Sequence, residues 1–440
     1  MKVLLVTPEY PPDFGGGIVT FYRDLIPALR KLGCEISVLK GSAFVHGAKT
    51  YENEGVGVLT LETARYHKWQ EEFAHFAMFP ELRRHLAAAF ALHEQAAEGD
   101  GFDAVEVTDW GLLFLPWVIR SKAQVLVQLH GSTGQIAFQE PAHRRAAEGV
   151  FSLLLERTAL AAAPHLSSYS RANVRWWQTV LHRPVNYLPP PLELNPAEFD
   201  EGSRANKWIS VARIQGWKGP QVACAAWEVL GEDGPRLDWI GRDTKHLATG
   251  ESMDASLRKK FPDTWGRKIQ PIGQISPREV RQRVRAAKAV LVPSTWDVFN
   301  LAAAEAMALG KAVVISEGAG AVDLVQHGVN GFVFPKNDAA ALAELVRHVD
   351  KLNPEELREI GQCAAATVHE RLDPERIAAE KLKMYHRSPE PDVTQVSWLI
   401  ECLLSDKGTN PLEFLGALPL KQLTAYAAQR WVNKVLGRQN

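Results

Sequence analysis

The sequence predicts two doubly wound α/β domains that face one another across a cleft. Three observations lead there. At 440 residues the chain is too long for one ordinary hydrophobic core. Short apolar runs alternate with helical stretches from Met1 to about Tyr385, the pattern of parallel sheets wrapped by helices. The alternation is broken once, by VNYLPPPLELNPAEF with Pro189, Pro190, Pro191 and Pro196. Such a run is stiff and extended and reads as an interdomain linker. It divides the chain into 1–195 and 196–371.

Composition narrows the function. Lys and Arg number 50 against 51 Asp and Glu, a formal net charge of -1, which provides no global field to gather nucleic acid. The 46% hydrophobic and 23% charged fractions are those of a soluble globular protein. Cys34, Cys224, Cys363 and Cys402 are far apart and form no CxxC pair, so neither a zinc site nor a disulfide framework is expected. A reducing cytoplasm fits. MKVLLVTPEY has too brief an apolar run before Pro8 for a signal peptide, and no stretch approaches the roughly 18 apolar residues of a spanning helix. Any membrane contact is then peripheral.

Val3 to Thr7 reads as a strand, PEYPPDFGGG as a loop, and the repeat of Phe21, Leu25, Leu29 and Leu32 as a helix. Gly15, Gly16 and Gly17 let backbone approach a ligand, and the helix N-terminus points to the same spot. The spacing is neither GxGxxG nor a P-loop, so on the residues alone a tight turn and a phosphate cradle stay open. Cys34–Leu39 and Val56–Leu61 are further strands. Tyr66 to His93 reads as one aromatic helical stretch, with Tyr66, Trp69, Phe73, Phe76 and Phe79 either packed on the core or lining an acceptor groove. Strands Ala104–Val107 and Val125–Leu129 end in polar residues, Asp109 with Trp110 and His130 with Gly131, at the sheet edge where α/β ligands bind. A helix from Arg144 to Ala163 and a short strand His165–Tyr169 complete the first half.

After the prolines the alternation restarts with Trp208–Val211, then ARIQGWKGP, a helix Gln221–Leu230, and LDWIGRD. Ile269–Ile272 ends in Gly273, and Ser276 with Glu279 forms a capping-box start. Ala289–Val292 reads as a buried strand leading into PSTWDVFNLAAAEAMALGKAV. There Asp297 and Glu305 stand at a strand's carboxyl end, beside a helix N-terminus suited to an anion.

These motifs together resemble the GT-B-fold retaining glycosyltransferases of family 4, the group 1 type. PEYPPDFGGG, LHG at 129–131, ARIQGWKG at 212–219, WIGRD at 239–243, IGQIS at 272–276, the Pro293–Val313 stretch and HGVNGFVF at 327–334 follow the family order. The resemblance implies a GT-B architecture and transfer of a sugar from a nucleotide donor, most simply a UDP-sugar, with retained configuration. Arg213 and Lys218 match the diphosphate-binding pair, whose fixed charge stabilises the leaving group. Glu305 matches the acid on the ribose hydroxyls. Asp297 stands where the family has a Glu contacting the donor sugar, and Asn300 where it has a Gly after Phe299, with Leu301 following. Both departures lie beside the sugar and bear on which sugar fits or on activity itself.

His130 matches the histidine that leans on the donor sugar, and Gly16 and Gly17 the loop that approaches phosphate. Gly241 falls in the matched WIGRD, and Ile275 where main-chain atoms receive the base. Asp109 with Trp110 resembles the acceptor-side DW pair of glycogen and starch synthases, where Asp109 either binds an acceptor hydroxyl or caps a loop. No metal or cofactor is implied, because Arg213 and Lys218 supply the charge. The partners implied are a nucleotide-sugar and a glycan, glycolipid or small-molecule acceptor in surface polysaccharide or glycoconjugate synthesis. Rival readings are a non-catalytic nucleotide-binding relative, an epimerase or a phosphorylase.

The 372–388 stretch matches the helix that crosses back to complete the first domain. Residues 389–440 read as a helical extension, in which Leu423, Ala427, Trp431 and Val435 alternate with Lys421, Arg430, Lys434 and Arg438. This basic amphipathic helix suits the inner face of a membrane, a second copy in a homodimer, or packing on the first domain.

Overall fold

The computed structural model describes residues 1–13, 16–139, 147–193, 207–245, 250–386 and 420–435. Its framework is two sheets whose apolar strands are covered on both faces. The first contains β1 (Lys2–Thr7), β2 (Glu35–Lys40), β3 (Tyr51–Asn53), β4 (Val56–Thr60), β5 (Ala104–Thr108), β6 (Gln124–Leu129), β7 (His165–Ser168) and β8 (Asn186–Tyr187). They run in the order β3-β4-β2-β1-β5-β6-β7-β8, parallel except for the edge hairpin of β3 with β4. Around them lie α1 (Gly17–Lys31), α2 (Thr63–Glu72), α3 (Pro80–Gln95), α4 (Leu115–Ile119), α5 (Thr133–Gln139), α6 (Ala147–Ala162) and α7 (Arg171–Leu181).

The second sheet holds β9 (Trp208–Val211), β10 (Leu237–Ile240), β11 (Ile269–Gly273), β12 (Ala289–Val292), β13 (Ala312–Ser316) and β14 (Phe332–Phe334). Its order β11-β10-β9-β12-β13-β14 is that of a doubly wound dinucleotide-binding sheet. The helices are α8 (Pro220–Leu230), α9 (Met253–Lys260), α10 (Pro277–Ala286), α11 (Leu301–Ala308), α12 (Ala339–Lys351) and α13 (Pro354–Arg371), followed by α14 (Pro374–His386) and, separately, α15 (Leu420–Val435). The Ser276–Glu279 capping box is formed at the start of α10. No described helix is long and apolar enough to cross a membrane.

Several details differ from expectation. The stretch expected as one helix from Tyr66 is two, α2 and α3, separated by a 3-10 turn at Ala74–Phe76. Pro80 is the reason. It has no N–H to donate and is best accommodated in the first turn of a new helix, where it stands here. Tyr66 and Phe73 are buried, with Phe73 and Trp69 packed against Phe90 at ring distances of 5.2 and 5.0 Å, so this part of the aromatic stripe is core. Pro189, Pro190 and Pro191, in the stretch read as an interdomain linker, are buried. The segment after them is tied to both halves: Leu192 N–H donates to Leu372 C=O at 3.0 Å and Glu193 N–H to Asp24 Oδ2 at 3.1 Å. The 195/196 boundary, Gly15, the start of the Arg144 helix and most of 389–440 lie outside the described residues. Within the extension, α15 is helical, with Trp431 and Val435 exposed.

The crossing helix α14 packs on α1 and β6. Lys381, on α14, and Glu106, on β5, are both without solvent exposure and pair at 3.0 Å. Tyr385 hydroxyl donates to Glu106 Oε2 at 2.8 Å, and Lys381 Nζ donates to Gln128 Oε1 on β6 at 2.5 Å. A buried pair adds little net stability when whole, but losing one partner strands a charge in a dry interior. Lys381→Met is therefore expected to destabilise the first domain by about 3–5 kcal/mol. Adding Glu106→Gln is expected to recover part of that loss; urea denaturation of the single and double variants reads both values.

Candidate functional site

In a doubly wound sheet the loops leaving neighbouring strands on either side of the order reversal diverge, and the crevice between them receives ligands. The reversals here lie between β1 and β5 and between β9 and β12. The loops at those four strand ends are 8–16, 109–114, 212–219 and 293–300, and they carry most of the motifs singled out in the sequence. The start of α1 meets the start of α11 across the cleft, where a side chain added at Gly17 would lie 3.7 Å from Leu301 Cδ1.

On the second-domain side the two loops are fastened together. Thr295 N–H donates to Trp217 C=O at 2.8 Å. Gly219, at φ +76°, turns so tightly beneath Pro293 that a Cβ would sit 1.9 Å from the proline carbonyl oxygen. Glycine alone fits there. The turn delivers Lys218 Nζ to Asp297 Oδ2 at 2.5 Å, with both side chains mostly buried. Asn300 Nδ2 donates to the same carboxylate oxygen at 3.0 Å, while its Oδ1 caps α11 by accepting from Ala303 N–H at 3.0 Å.

Asn300 has φ +86°. That left-handed conformation is open to glycine and, among the other residues, most readily to Asn. Asparagine here thus holds a glycine-like backbone and adds both a cap and a bond to Asp297. Phe299 is buried in the core, and its carbonyl accepts from Ala321 N–H at 2.6 Å. Leu301 opens α11.

Arg213 follows β9 and is exposed to the cleft. Desolvation by the surrounding walls and the nearby Arg242 lower its pKa, with Glu9 and Asp297 opposing them. Gly241 supports this loop, its N–H donating to Gly273 C=O at 3.0 Å while its Cα lies against the Ala212 carbonyl. Ile275, two residues beyond Gly273, is partly buried. Glu305, on α11, is pushed up to about 7 by burial, with Arg23 lowering it, Asp24 raising it and Arg281 lowering it. Arg23 and Asp24 belong to α1, so this acid answers to both domains.

On the first-domain side Asp109 is fully buried and accepts from His130 N–H at 2.8 Å and Gly131 N–H at 3.3 Å. Burial pushes its carboxyl to about 7, against the pull of those two bonds. Of the two roles left open for Asp109, the structure displays the loop anchor. A second buried acid, Glu156 on α6, takes the next residues, accepting from Ser132 Oγ and from Gly134 N–H at 2.9 Å. It is pushed up to about 8 by burial. His130 packs edge-on against Phe21 at 5.2 Å and contacts the Tyr169 hydroxyl. Burial and then Lys381 hold its imidazole well below its usual pKa, so the ring is neutral at physiological pH. Gly131 backs onto Val298 and Trp296 of the other domain. Trp110 is half-buried beside Phe44 and His85, at ring distances of 6.3 and 5.7 Å.

Residues 193–366 match the family model of glycosyl transferases group 1. The match spans most of the second domain and none of the first-domain sheet. An uncharacterised glycosyltransferase of Methanocaldococcus jannaschii is 26% identical, with 77% of this chain and 86% of its own length aligned. A D-inositol 3-phosphate glycosyltransferase of Pseudarthrobacter chlorophenolicus is 24% identical over 89% of this chain and 95% of its own. Among solved structures, sucrose-phosphate synthase from Thermosynechococcus elongatus superposes with TM-score 0.67 at 20% identity, covering 87% of this chain and 98% of its own. Anabaena HepE in complex with UDP-glucose superposes at 0.60 with 16% identity over 87% of this chain and 99% of its own. The architecture is GT-B.

The fold thus brings Lys218, Asp297 and Asn300 into direct contact, sets Arg213 beside them and Glu305 one helical step on, and places His130 and Gly131 opposite. Trp110 stands away from this group, joined to it through the Asp109 anchor. Glu9, Arg23, Glu156 and Tyr169 were missed in the sequence because each acts through a contact distant in the chain. Asn300→Gly keeps the left-handed turn, whereas Asn300→Ala loses the cap and strains the backbone. The alanine variant is expected to be less stable than the glycine variant by about 1–2 kcal/mol, read by chemical denaturation.

Proposed function

We propose that the protein is a retaining glycosyltransferase that moves a sugar from a nucleoside diphosphate donor, a UDP-sugar first of all, to a hydroxyl acceptor. The observation that carries this reading is the joining of two switch-point loops in a group 1 domain, which sets Lys218 on Asp297 with Arg213 alongside and the N-termini of α8 and α11 at the same crevice. Fixed cations and helix N-termini stabilise an anion that gains charge, and a departing diphosphate is such an anion. HepE solved with UDP-glucose, and a trehalose-6-phosphate protein of E. coli solved with UDP-2-fluoro glucose, support a UDP-sugar by likeness of fold.

In this reading Arg213 and Lys218 hold the diphosphate, Glu305 accepts from the ribose hydroxyls, and the main chain around Ile275 receives the base. Asp297, fixed by Lys218 and Asn300, lies beside the sugar, with neutral His130 facing it from the first domain. The bond from C1 to phosphate oxygen breaks as the acceptor oxygen bonds C1 from the same face. The acceptor's proton passes to the departing phosphate oxygen, so configuration is retained without a second carboxylate and without a metal. The acceptor, a glycan, glycolipid or small polyol phosphate, binds on the first-domain side, and the product serves surface polysaccharide or glycoconjugate synthesis from the cytoplasmic face.

A panel of UDP-, GDP- and ADP-sugars tests this. Turnover with one donor supports the transferase, whereas nucleotide binding with neither transfer nor hydrolysis across the panel supports the non-catalytic reading. Lys218→Ala is expected to lower kcat by about 10²-fold or more, because it removes charge at the leaving group. Asp297→Glu is expected to change the ranking of donors in the same assay, since the longer acid occupies the sugar's side of the Lys218 contact.

A further inference from the structure

Glu9 sits in the PEYPPDFGGG loop, at the first-domain edge of the site. Its carboxylate lies flat against Gly16: a Cβ built there would be 2.2 Å from Oε1 and 2.7 Å from both Cδ and Oε2. Gly16 is the N-cap of α1, a helix with no side-chain cap and no acid in its first turn. Glu9 therefore places a carboxylate at a helix start that has none of its own. The same carboxylate lies in the field of Arg213 and Arg242, both from the second domain. The other acid of this loop, Asp13, is engaged elsewhere, by Lys40 Nζ at 3.1 Å.

Glu9 thus stands against the start of α1, on the first-domain wall of the cleft, within the field of two arginines of the second domain. We propose that Glu9 is a displaceable internal anion, standing in the donor-free cleft where the donor's diphosphate goes and competing with it for Arg213 and Arg242. This rests on the nucleoside diphosphate reading above and adds a residue that sets donor affinity. It also assigns Gly16 a reason: any side chain there would evict Glu9 from the helix start. Lys218 is balanced in the same fashion by Asp297, so each cation of the site faces an acid of the protein before the donor arrives.

The competition carries a sign in pH. Burial raises the Glu9 pKa above the usual carboxylate range, Arg213 opposes this, Asp13 adds to it and Arg242 again opposes. Below that raised pKa Glu9 is protonated and does not compete; above it the carboxylate is ionised and does.

Titration calorimetry of the full chain with UDP and with inorganic pyrophosphate tests this across acid to neutral pH. Glu9→Gln is expected to bind both probes roughly three- to tenfold more tightly than wild type at neutral pH, the gain shrinking towards acid. Glu9→Ala, which removes the charge by another route, is expected to match it, and Glu9→Asp, which keeps the charge, to bind as wild type does. Equal affinities at neutral pH overturn the proposal, as does a gain independent of pH or one that Glu9→Asp shares. Wild-type protein that binds neither probe overturns the nucleotide reading itself, and the role of Glu9 with it.

Discussion

A lysine and a glutamate shielded from water hold the two halves of this molecule in working relation. Lys381 arrives on α14, the helix that leaves the second domain, and meets Glu106 and Gln128 on the central strands of the first. Because neither charge has water to fall back on, the pair is satisfied only when α14 is seated. The seat is also the floor of the site. Lys381 Nζ lies 5.4 Å from the Phe21 ring centroid, Phe21 packs on His130, and the lysine's charge joins burial in keeping that imidazole neutral. Interdomain attachment and the protonation state of the cleft histidine therefore share one buried cation.

The site above this floor is built by shared carboxylates. Asp109 and Glu156 each use both carboxylate oxygens to gather the N–H and O–H donors of residues 130 to 134 and fix the loop that faces the second domain. Burial pushes both carboxyls up, to about 7 and about 8, because each is taken from water for that purpose. Asp297 performs the corresponding task opposite, receiving Lys218 and Asn300 on one oxygen. A short acid suits that geometry, since Asn300 reaches it from the cap of the helix three residues on. Asp297 and Asn300 are thus one linked unit, with the asparagine holding a left-handed backbone and supporting the aspartate.

Much of the fold was legible in the sequence, since strands buried on both faces appear as unbroken apolar runs and the helices as 3.6-residue repeats. The break that was misread has a local explanation in Pro80, which starts a new helix; the proline run at 189–191, read as a linker, is buried, and Leu192 after it bonds Leu372. Proline marks a place where regular structure often stops but not whether the stop lies in water or in the core. The loops bearing Arg213, Lys218, Asp297 and His130 were legible through their motifs.

What the sequence determined by itself is the list of strand ends and the chemistry standing at them, because periodicity and glycine position are local properties of the chain. Only tertiary structure decided which of those ends meet. The contact of Lys218 with Asp297 spans 79 residues and that of Lys381 with Glu106 spans 275. No local pattern encodes such distances; they follow from the strand order of the two sheets and from the helix that returns to join them. The same holds for Glu9 and Gly16, seven positions apart, where the glycine's missing Cβ is meaningful only once the carboxylate is seen to fill its place.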